Sequence, residues 1–206
     1  MPHLYYIHDP MCSWCWAFRP TLEKLLQQLP ADIKHSRLLG GLAPDTRQPM
    51  PKEMRDKLQN TWRRIQAKLP ETRFNYDFWE KNTPRRSTYP ACRAVISARE
   101  IDSAKEESMI LAIQQAYYLN ARNPSDDATL IALAGEIGLD RASFNELYTG
   151  HLVEQTLNEE IEKSRRMGAS SFPSLVLQID QGYWPVAIDY HNEQSMLANI
   201  EQLCST

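Results

Sequence analysis

Hydrophobic residues follow two different spacings along this chain, and the first change of spacing comes early. Residues 3–9 form a short, mostly apolar run, residues 12–29 carry apolar side chains near the helical repeat, and residues 33–39 form a second apolar run before Gly40 and Gly41. Short apolar runs predict strands, whereas a period near 3.6 predicts a helix. The first forty residues therefore predict a strand–helix–strand unit, whose short connections favour parallel strands.

The middle of the chain has an almost entirely helical pattern, from residue 52 to residue 167. A loop containing three prolines, residues 43–51, precedes it. Ser125 and Asp140 are candidate amino-terminal caps within this block, since serine and aspartate oxygens accept the free N–H groups of a first helical turn. Gly168 predicts the end of the last of these helices.

A strand pattern returns after Gly168. Residues 174–179 predict a strand, residues 180–182 a tight turn, and residues 183–189 a second strand. Pro185 lies in that second strand and suits a sheet edge, because proline cannot donate a ladder hydrogen bond. Asn192 is a candidate cap for a final helix.

The order of these elements predicts the fold class and the domains. Neither end of the chain can bury its few strands alone, so we expect both ends to share one sheet. The prediction is an α/β fold in which residues 1–45 and 169–206 form a discontinuous sheet domain. Residues 46–168 form a large all-helical insertion in that domain.

Composition and charge exclude several classes of protein. The chain has 206 residues, a net charge of -3 and a sequence pI near 6.0. Nucleic-acid binding needs a basic surface that this balance does not provide, and no apolar run approaches the roughly 20 residues of a membrane span. Met1 leads into the first predicted strand with no basic and apolar leader, so we expect a cytoplasmic protein.

The four cysteines are too few for a disulfide-stapled scaffold. Cys12 and Cys15 are separated by two residues, and this spacing indicates either redox chemistry or a metal site. A zinc site would need a second pair of ligands at matching spacing, and the histidines are scattered. We therefore expect redox chemistry and no bound metal. We expect Cys92, inside a predicted helix, to be a small apolar residue and Cys204 to be at the last turn.

The two paired cysteines have different positions in the predicted helix. Cys12 falls at its start, where free backbone N–H groups and the positive end of the helix dipole favour the thiolate. Cys15 lies one turn further on and is more sheltered. We therefore expect Cys12 to be the exposed nucleophile and Cys15 the resolving thiol of a mixed disulfide.

Three sequence features together resemble the thioredoxin superfamily, in the branch of the disulfide oxidoreductase DsbA. They are a strand followed by Cys12-Ser13-Trp14-Cys15, a proline at Pro20, and the segment Phe172-Pro173-Ser174 before a late strand. The run around the cysteines looks most like the FrnE-like subgroup, which is related to 2-hydroxychromene-2-carboxylate isomerases. The resemblance implies a thioredoxin-like fold with a helical insertion, acting as a thiol–disulfide oxidoreductase.

The resemblance also implies a substrate site. Pro173 would be a cis-proline facing the cysteines, and Phe172 would offer its backbone to an extended substrate. Ser13 and Trp14 lie between the cysteines and are candidate substrate contacts, with the Trp14 ring exposed. The expected partners are protein or small-molecule disulfides and thiols. We expect no bound cofactor, glutathione as a candidate redox partner, and a monomer or a homodimer.

One position departs from the family pattern. Many members carry a buried acid six residues before the first cysteine, where this chain has Tyr6, so the proton-transfer partner of Cys15 stays open. The direction of the reaction, whether oxidation, isomerisation or reduction, stays open too. Two other functions compete with dithiol chemistry: a glutathione-dependent transferase or isomerase of the kappa type, and a non-catalytic thioredoxin-fold binding module.

Overall fold

A computed structural model of the chain describes residues 1–205, so that Thr206, the last residue of the predicted sheet domain, lies outside it. Strands and helices alternate at the two ends of the chain and helices fill the middle, as the sequence predicts. In chain order the elements are β1 (His3–His8), α1 (Ser13–Gln28), β2 (Lys34–Leu39), α2 (Lys52–Lys68), α3 (Phe78–Lys81), α4 (Tyr89–Ile101), α5 (Lys105–Tyr118), α6 (Asp127–Glu136), α7 (Arg141–Tyr148), α8 (His151–Arg166), β3 (Ser174–Ile179), β4 (Gly182–Val186) and α9 (Glu193–Cys204).

The strands from both ends of the chain form one sheet in the order β2-β1-β3-β4. Strand β1 lies parallel to β2 and antiparallel to β3, and β4 pairs antiparallel with β3. The predicted α/β fold with a shared sheet is therefore confirmed. Pro185 lies in β4, which is the edge strand that its missing N–H allows.

The chain forms two compact units. One comprises residues 1–40 and 160–206 and contains the sheet, and the other comprises residues 41–159. The second segment of the sheet unit begins within α8 at Glu160, whose side chain accepts a hydrogen bond from the Leu39 N–H at 2.7 Å. The predicted domain limits, at residues 45/46 and 168/169, stay a prediction.

The two faces of the sheet bury different clusters. Leu4 and Tyr6 of β1 pack towards α1 and α9, together with apolar residues of β3 and β4. On the opposite face, Tyr5 and Ile7 pack with residues that follow α8. Because side chains alternate along a strand, His8 shares the α1 face with Tyr6.

Several predicted boundaries are corrected by the structure. Ser125 does not cap a helix: α6 begins after Asp126, and the Ser125 hydroxyl donates to the Ser87 carbonyl instead. The short helix α3, which carries few periodic positions, was not predicted, and β4 ends at Val186 rather than at residue 189. Asp140 and Asn192 do cap α7 and α9, each accepting an N–H from the first turn.

The helical unit, residues 41–159, has its own aromatic core. Trp62 lies at its centre, and six described aromatic rings have centroids 4.8–6.3 Å from a Trp62 ring. The rings that contact Trp62 are those of Phe74, Tyr76, Phe78, Trp79, Tyr117 and Tyr118. Within residues 1–205, no helix combines the length and the apolar character needed to cross a membrane.

Candidate functional site

The candidate site is built on the turn between β1 and α1. Asp9 shapes this turn, because its side chain accepts the Met11 N–H at 2.8 Å and its carbonyl accepts the Cys12 N–H at 3.0 Å. Asp9 is completely buried. The turn therefore fixes Cys12 at the amino-terminal end of α1, next to the carboxyl end of a central strand.

Cys12 is the N-cap residue of α1, with an extended backbone (φ -81°, ψ 115°). Its sulfur accepts a hydrogen bond from the Cys15 N–H at 3.4 Å, in the way that a serine or aspartate oxygen caps a helix. This arrangement directs a free N–H of the first turn at the Cys12 sulfur. A negative charge on that sulfur would be stabilised by the same group.

The two thiols differ in exposure, although less than the sequence predicts. Cys15 is 0% exposed and Cys12 is 6% exposed, so the predicted order holds but the predicted open exposure of Cys12 is wrong. Cys12 is covered because the loop before β3 lies against it. Its thiol donates to the Phe172 carbonyl at 3.4 Å.

The Phe172–Pro173 peptide bond is cis. Both residues are half-buried, immediately before β3. The Phe172–Pro173 loop, which the family resemblance identified as a substrate site, thus contains the Phe172 carbonyl that contacts the Cys12 sulfur. Its backbone and the first turn of α1 line the same small region of the sheet unit.

The residues between the cysteines are half-buried. The Trp14 ring packs edge-on against the Tyr190 ring, with centroids 5.2 Å apart, so it is less exposed than the sequence predicts. Trp16 is also half-buried. Ser13 begins α1 beside the two sulfurs.

Two tyrosine side chains lie near the thiols. Burial, followed by the proximity of Cys15 and Cys12, raises the pKa of Tyr6 well above its usual range, and a hydrogen bond to Cys15 contributes. The pKa of Tyr190 is raised by the same causes, burial first and then Cys15 and Cys12. Both phenols consequently stay protonated to a higher pH than an ordinary tyrosine does.

Tyr190 was missed by the sequence analysis. Its carbonyl accepts the Thr21 hydroxyl of α1 at 2.7 Å, and its ring also packs edge-on against Phe18 at 5.5 Å. Tyr190 is far from the cysteines in sequence and belongs to no spacing pattern. Its position just before the Asn192 cap of α9 was the one available signal, since that cap fixes where the segment meets α1.

Burial also affects Cys15 and His8. Burial is the main reason why the pKa of the Cys15 thiol lies well above its usual range, followed by the hydrogen bond with Cys12. Burial lowers the pKa of His8 to about 3, with contributions from Arg37 and Arg19. The His8 ring stacks on Tyr6 at 4.9 Å, and neither of its nitrogens has a hydrogen-bond partner within the described residues.

Metal ligands do not cluster in the part of the chain that the structure describes. Across residues 1–205, no group of three or more histidine, cysteine, aspartate or glutamate side chains could hold a metal ion. The four cysteines within that range are free thiols.

Curated relatives share part of their length with this chain. The protein named ClpXP adapter protein SpxH of Halalkalibacterium halodurans is 23% identical over 84% of this chain, and the protein of the same name from Bacillus subtilis is also 23% identical. These matches cover 57% and 56% of the relatives. The chain thus spans little more than half of their length.

Solved structures match over the whole chain. A Nitrosomonas europaea protein, provisionally described as a protein disulfide isomerase, superimposes with a TM-score of 0.85 and 26% identity over 99% of this chain and 98% of its own. The cytosolic disulfide reductase DsbM of Pseudomonas aeruginosa gives a TM-score of 0.77 and 23% identity over 98% of both chains. A second DsbM structure, with GSH, gives 0.75 and 22% identity, covering 99% of this chain and 100% of that one.

The family assignment rests on a match to most of the chain. A family model described as the DSBA-like thioredoxin domain matches residues 6–198, which include the cysteine pair, the helical block and the Phe172–Pro173 loop. The structural neighbours agree with this fold and, at a coarse level, with an oxidoreductase-type enzyme. The chain belongs to the DSBA-like thioredoxin domain family.

Proposed function

We propose that this protein is a thiol–disulfide oxidoreductase in which Cys12 attacks and Cys15 resolves. The observation that carries the proposal is the position of the Cys12 sulfur. It caps α1 by accepting the Cys15 N–H and also contacts the Phe172 carbonyl, both at 3.4 Å. A helix N-terminus stabilises the thiolate, which is the nucleophilic form.

The proposed reaction has two exchange steps. The Cys12 thiolate attacks one sulfur of a substrate disulfide, the substrate S–S bond breaks, and one substrate thiolate leaves. Cys15 then loses its proton and attacks the Cys12 sulfur, which releases the second substrate thiol. The substrate disulfide gains two electrons, and the protein is left with a Cys12–Cys15 disulfide that an external thiol must reduce.

Four residues around the thiols are proposed to hold the substrate. Ser13 and Trp14 begin α1 between the cysteines, and Phe172 and Pro173 form the facing loop. The Trp14 ring, held edge-on by Tyr190, offers an apolar surface to a side chain next to the substrate cysteine. The backbone of Phe172 suits an extended segment, because strand addition uses main-chain groups for affinity.

We infer that the reaction runs as a reduction in the cytoplasm, with glutathione as the external thiol. This inference is supported by the fold shared with DsbM, which is described as cytosolic and as a disulfide reductase, and which has a structure with GSH. Reduction is also the net direction that a cytoplasmic glutathione pool favours.

A trapping experiment tests the dithiol mechanism. Cys15→Ser is incubated with a peptide disulfide, and the product is analysed by intact-mass spectrometry without reductant. We expect a stable mixed disulfide on Cys12 that is absent from Cys12→Ser. If Cys15→Ser instead turns over with glutathione at the wild-type rate, the resolving role of Cys15 is wrong, and a glutathione-dependent transferase or isomerase is favoured.

A second candidate function is a non-catalytic binding module. It is favoured by the curated relatives, which are named adapter proteins although this chain spans little more than half of them. This candidate predicts that neither thiol is needed. A Cys12→Ser/Cys15→Ser variant would then complement a deletion strain as well as the wild type does, whereas an oxidoreductase requires both sulfurs.

A further inference from the structure

Gly40 occupies a buried position directly after β2, beside the candidate site. Its N–H donates to the His8 carbonyl at 2.7 Å, which fastens it to the end of β1. Its backbone does not lie in the left-handed region that favours glycine, in contrast with that of Gly41 (φ 63°). The need for a glycine at position 40 therefore comes from the lack of room for a side chain rather than from the backbone conformation.

The space above Gly40 is filled by the Phe172 ring. A Cβ atom added at Gly40 would lie 2.0 Å from Cε1 and 2.1 Å from Cζ of that ring. These separations are far below van der Waals contact, so no side chain fits while the ring stays in place. The ring therefore lies close to a backbone position that is itself hydrogen-bonded to β1.

The Phe172 ring has a second set of contacts, with apolar side chains. It packs against a buried cluster whose members include Leu38 and Val176. Contacts with this cluster and with Gly40 together limit the positions that the rigid Phe172 ring can take. A displacement of the ring would consequently be passed on to the Phe172 backbone.

The Phe172 backbone is the part of the loop that contacts the candidate nucleophile, through the carbonyl 3.4 Å from the Cys12 sulfur. We propose that Gly40 is a positioning residue: by leaving room for the Phe172 ring, it sets the distance between the Phe172 carbonyl and Cys12. This inference rests on the proposed function of the Cys12 site and goes beyond it, since Gly40 contacts neither thiol.

A double-mutant cycle tests the proposal. The kcat/KM for reduction of a fluorogenic peptide disulfide is measured for the wild type, Gly40→Ala, Phe172→Ala and the double variant. We expect Gly40→Ala to lose about tenfold or more, because misplacing a reacting group by about 1 Å costs up to about a hundredfold. In the Phe172→Ala background the same substitution should cost less than about twofold, since the ring it displaces is gone.

A matched control separates this effect from general disruption. A Cβ at Gly135 of α6 would lie 2.2 Å from the Arg141 Nε, an equally short approach to an exposed side chain of the helical unit. Gly135→Ala should leave kcat/KM within about twofold of the wild type. An equal loss from Gly40→Ala in both Phe172 backgrounds would overturn the proposal, because the effect would then not act through the ring.

A second readout does not depend on turnover. The rate of Cys12 modification by iodoacetamide at pH 7 is measured by peptide mass spectrometry in the same four proteins. We expect it to rise about threefold in Gly40→Ala, because the thiol loses its bond to the Phe172 carbonyl, and to be unchanged by Gly40→Ala when Phe172 is alanine. An inactive wild type would contradict the proposed function, while an unchanged modification rate in Gly40→Ala would contradict the positioning role.

Discussion

Cys15 and Cys92 are both completely buried, but their surroundings differ. Cys92 lies in the first turn of α4, where its N–H donates to the Thr88 carbonyl at 3.1 Å and its neighbours Ala91 and Val95 are buried apolar residues. The N–H of Cys15 donates instead to the sulfur of Cys12.

Burial alone therefore does not separate the thiol that we propose to resolve the mixed disulfide from a thiol packed inside a helix. In α4, Thr88 makes no side-chain cap bond, and a backbone carbonyl accepts the N–H of Cys92, as in any helix. In α1, the cap atom is itself a sulfur, so the Cys15 N–H of the first turn points at the sulfur that we propose to be the nucleophile. What separates the two buried cysteines is therefore the cap of each helix, which is a sulfur in α1 and has no side-chain bond in α4.

The largest expected effect is the loss of activity on replacing Cys12, compared with replacing Cys92. Cys12→Ser removes the attacking sulfur, so reduction of a peptide disulfide should fall by at least about 10⁴-fold, to background. Cys92→Ala should stay within about twofold of the wild type, because that sulfur lies within a helix and apart from the cap. Steady-state rates with glutathione as reductant check both values. Comparable losses in the two variants would refute the distinction.

His8 gives the next largest effect, on stability in acid. Burial lowers the pKa of His8 to about 3 in the folded protein. Between pH 6.5 and pH 3 the imidazole is therefore protonated in the unfolded chain but not in the folded protein. The stability contribution is thus present above pH 6.5 and is lost as the pH falls towards 3, by about 5 kcal/mol in total. Urea unfolding between pH 7 and pH 3 measures this loss.

His8→Phe is the matched control for that prediction. Phenylalanine retains an aromatic ring on Tyr6, against which the His8 ring is stacked with an interplanar angle of 3°. The variant should lose the acid-dependent fall and should be no less stable at pH 7, because the two histidine nitrogens have no partner within the described residues. An identical pH dependence in both proteins would show that other groups control acid unfolding.

The sequence predicted the frame of the site because its signals are local. The Cys12–Cys15 pair comes shortly after an apolar run that forms a strand. Asn192 predicts a helix cap and Pro185 an edge strand, and each residue lies in the element that it predicts. Each of these features depends on a few consecutive residues. Short-range physics therefore sufficed for the sheet, the helix α1 and the cap position of the first cysteine.

The remaining parts of the site depend on contacts between distant residues. Tyr190 contacts Trp14 in a segment held to α1 by the bond from the Thr21 hydroxyl to the Tyr190 carbonyl. Gly40 meets Phe172 because β2 and β3 pair with opposite edges of β1, so that the residue after β2 and the loop before β3 lie at the same end of the sheet. No spacing in the chain encodes such contacts. The burial of Cys12 has the same origin, since the Phe172 loop that covers it lies at the other end of the sequence.

A smaller effect concerns stability, to which we expect Cys92 to contribute more than Cys12. Cys92→Ala should lower the free energy of unfolding by about 1–2 kcal/mol, because it leaves a small cavity in an apolar core. Cys12→Ser should change it by less than about 0.5 kcal/mol, since serine is a preferred N-cap and its hydroxyl replaces the capping sulfur. Urea unfolding at pH 7 checks both. A larger loss for Cys12→Ser would mean that the sulfur also supports the fold.

The smallest effect concerns Cys15 at alkaline pH. Burial raises the pKa of its thiol above the ordinary value near 9, so the folded protein holds this proton more tightly than the unfolded chain does. That contribution to stability is complete below pH 9 and is lost as the pH rises, at about 1.4 kcal/mol per pH unit. Between pH 9 and pH 10, the reduced wild type should therefore lose about 1 kcal/mol more than Cys15→Ala loses. The oxidised protein has no Cys15 thiol to titrate, so it should follow Cys15→Ala, and a wild type that does so while reduced would contradict the raised pKa.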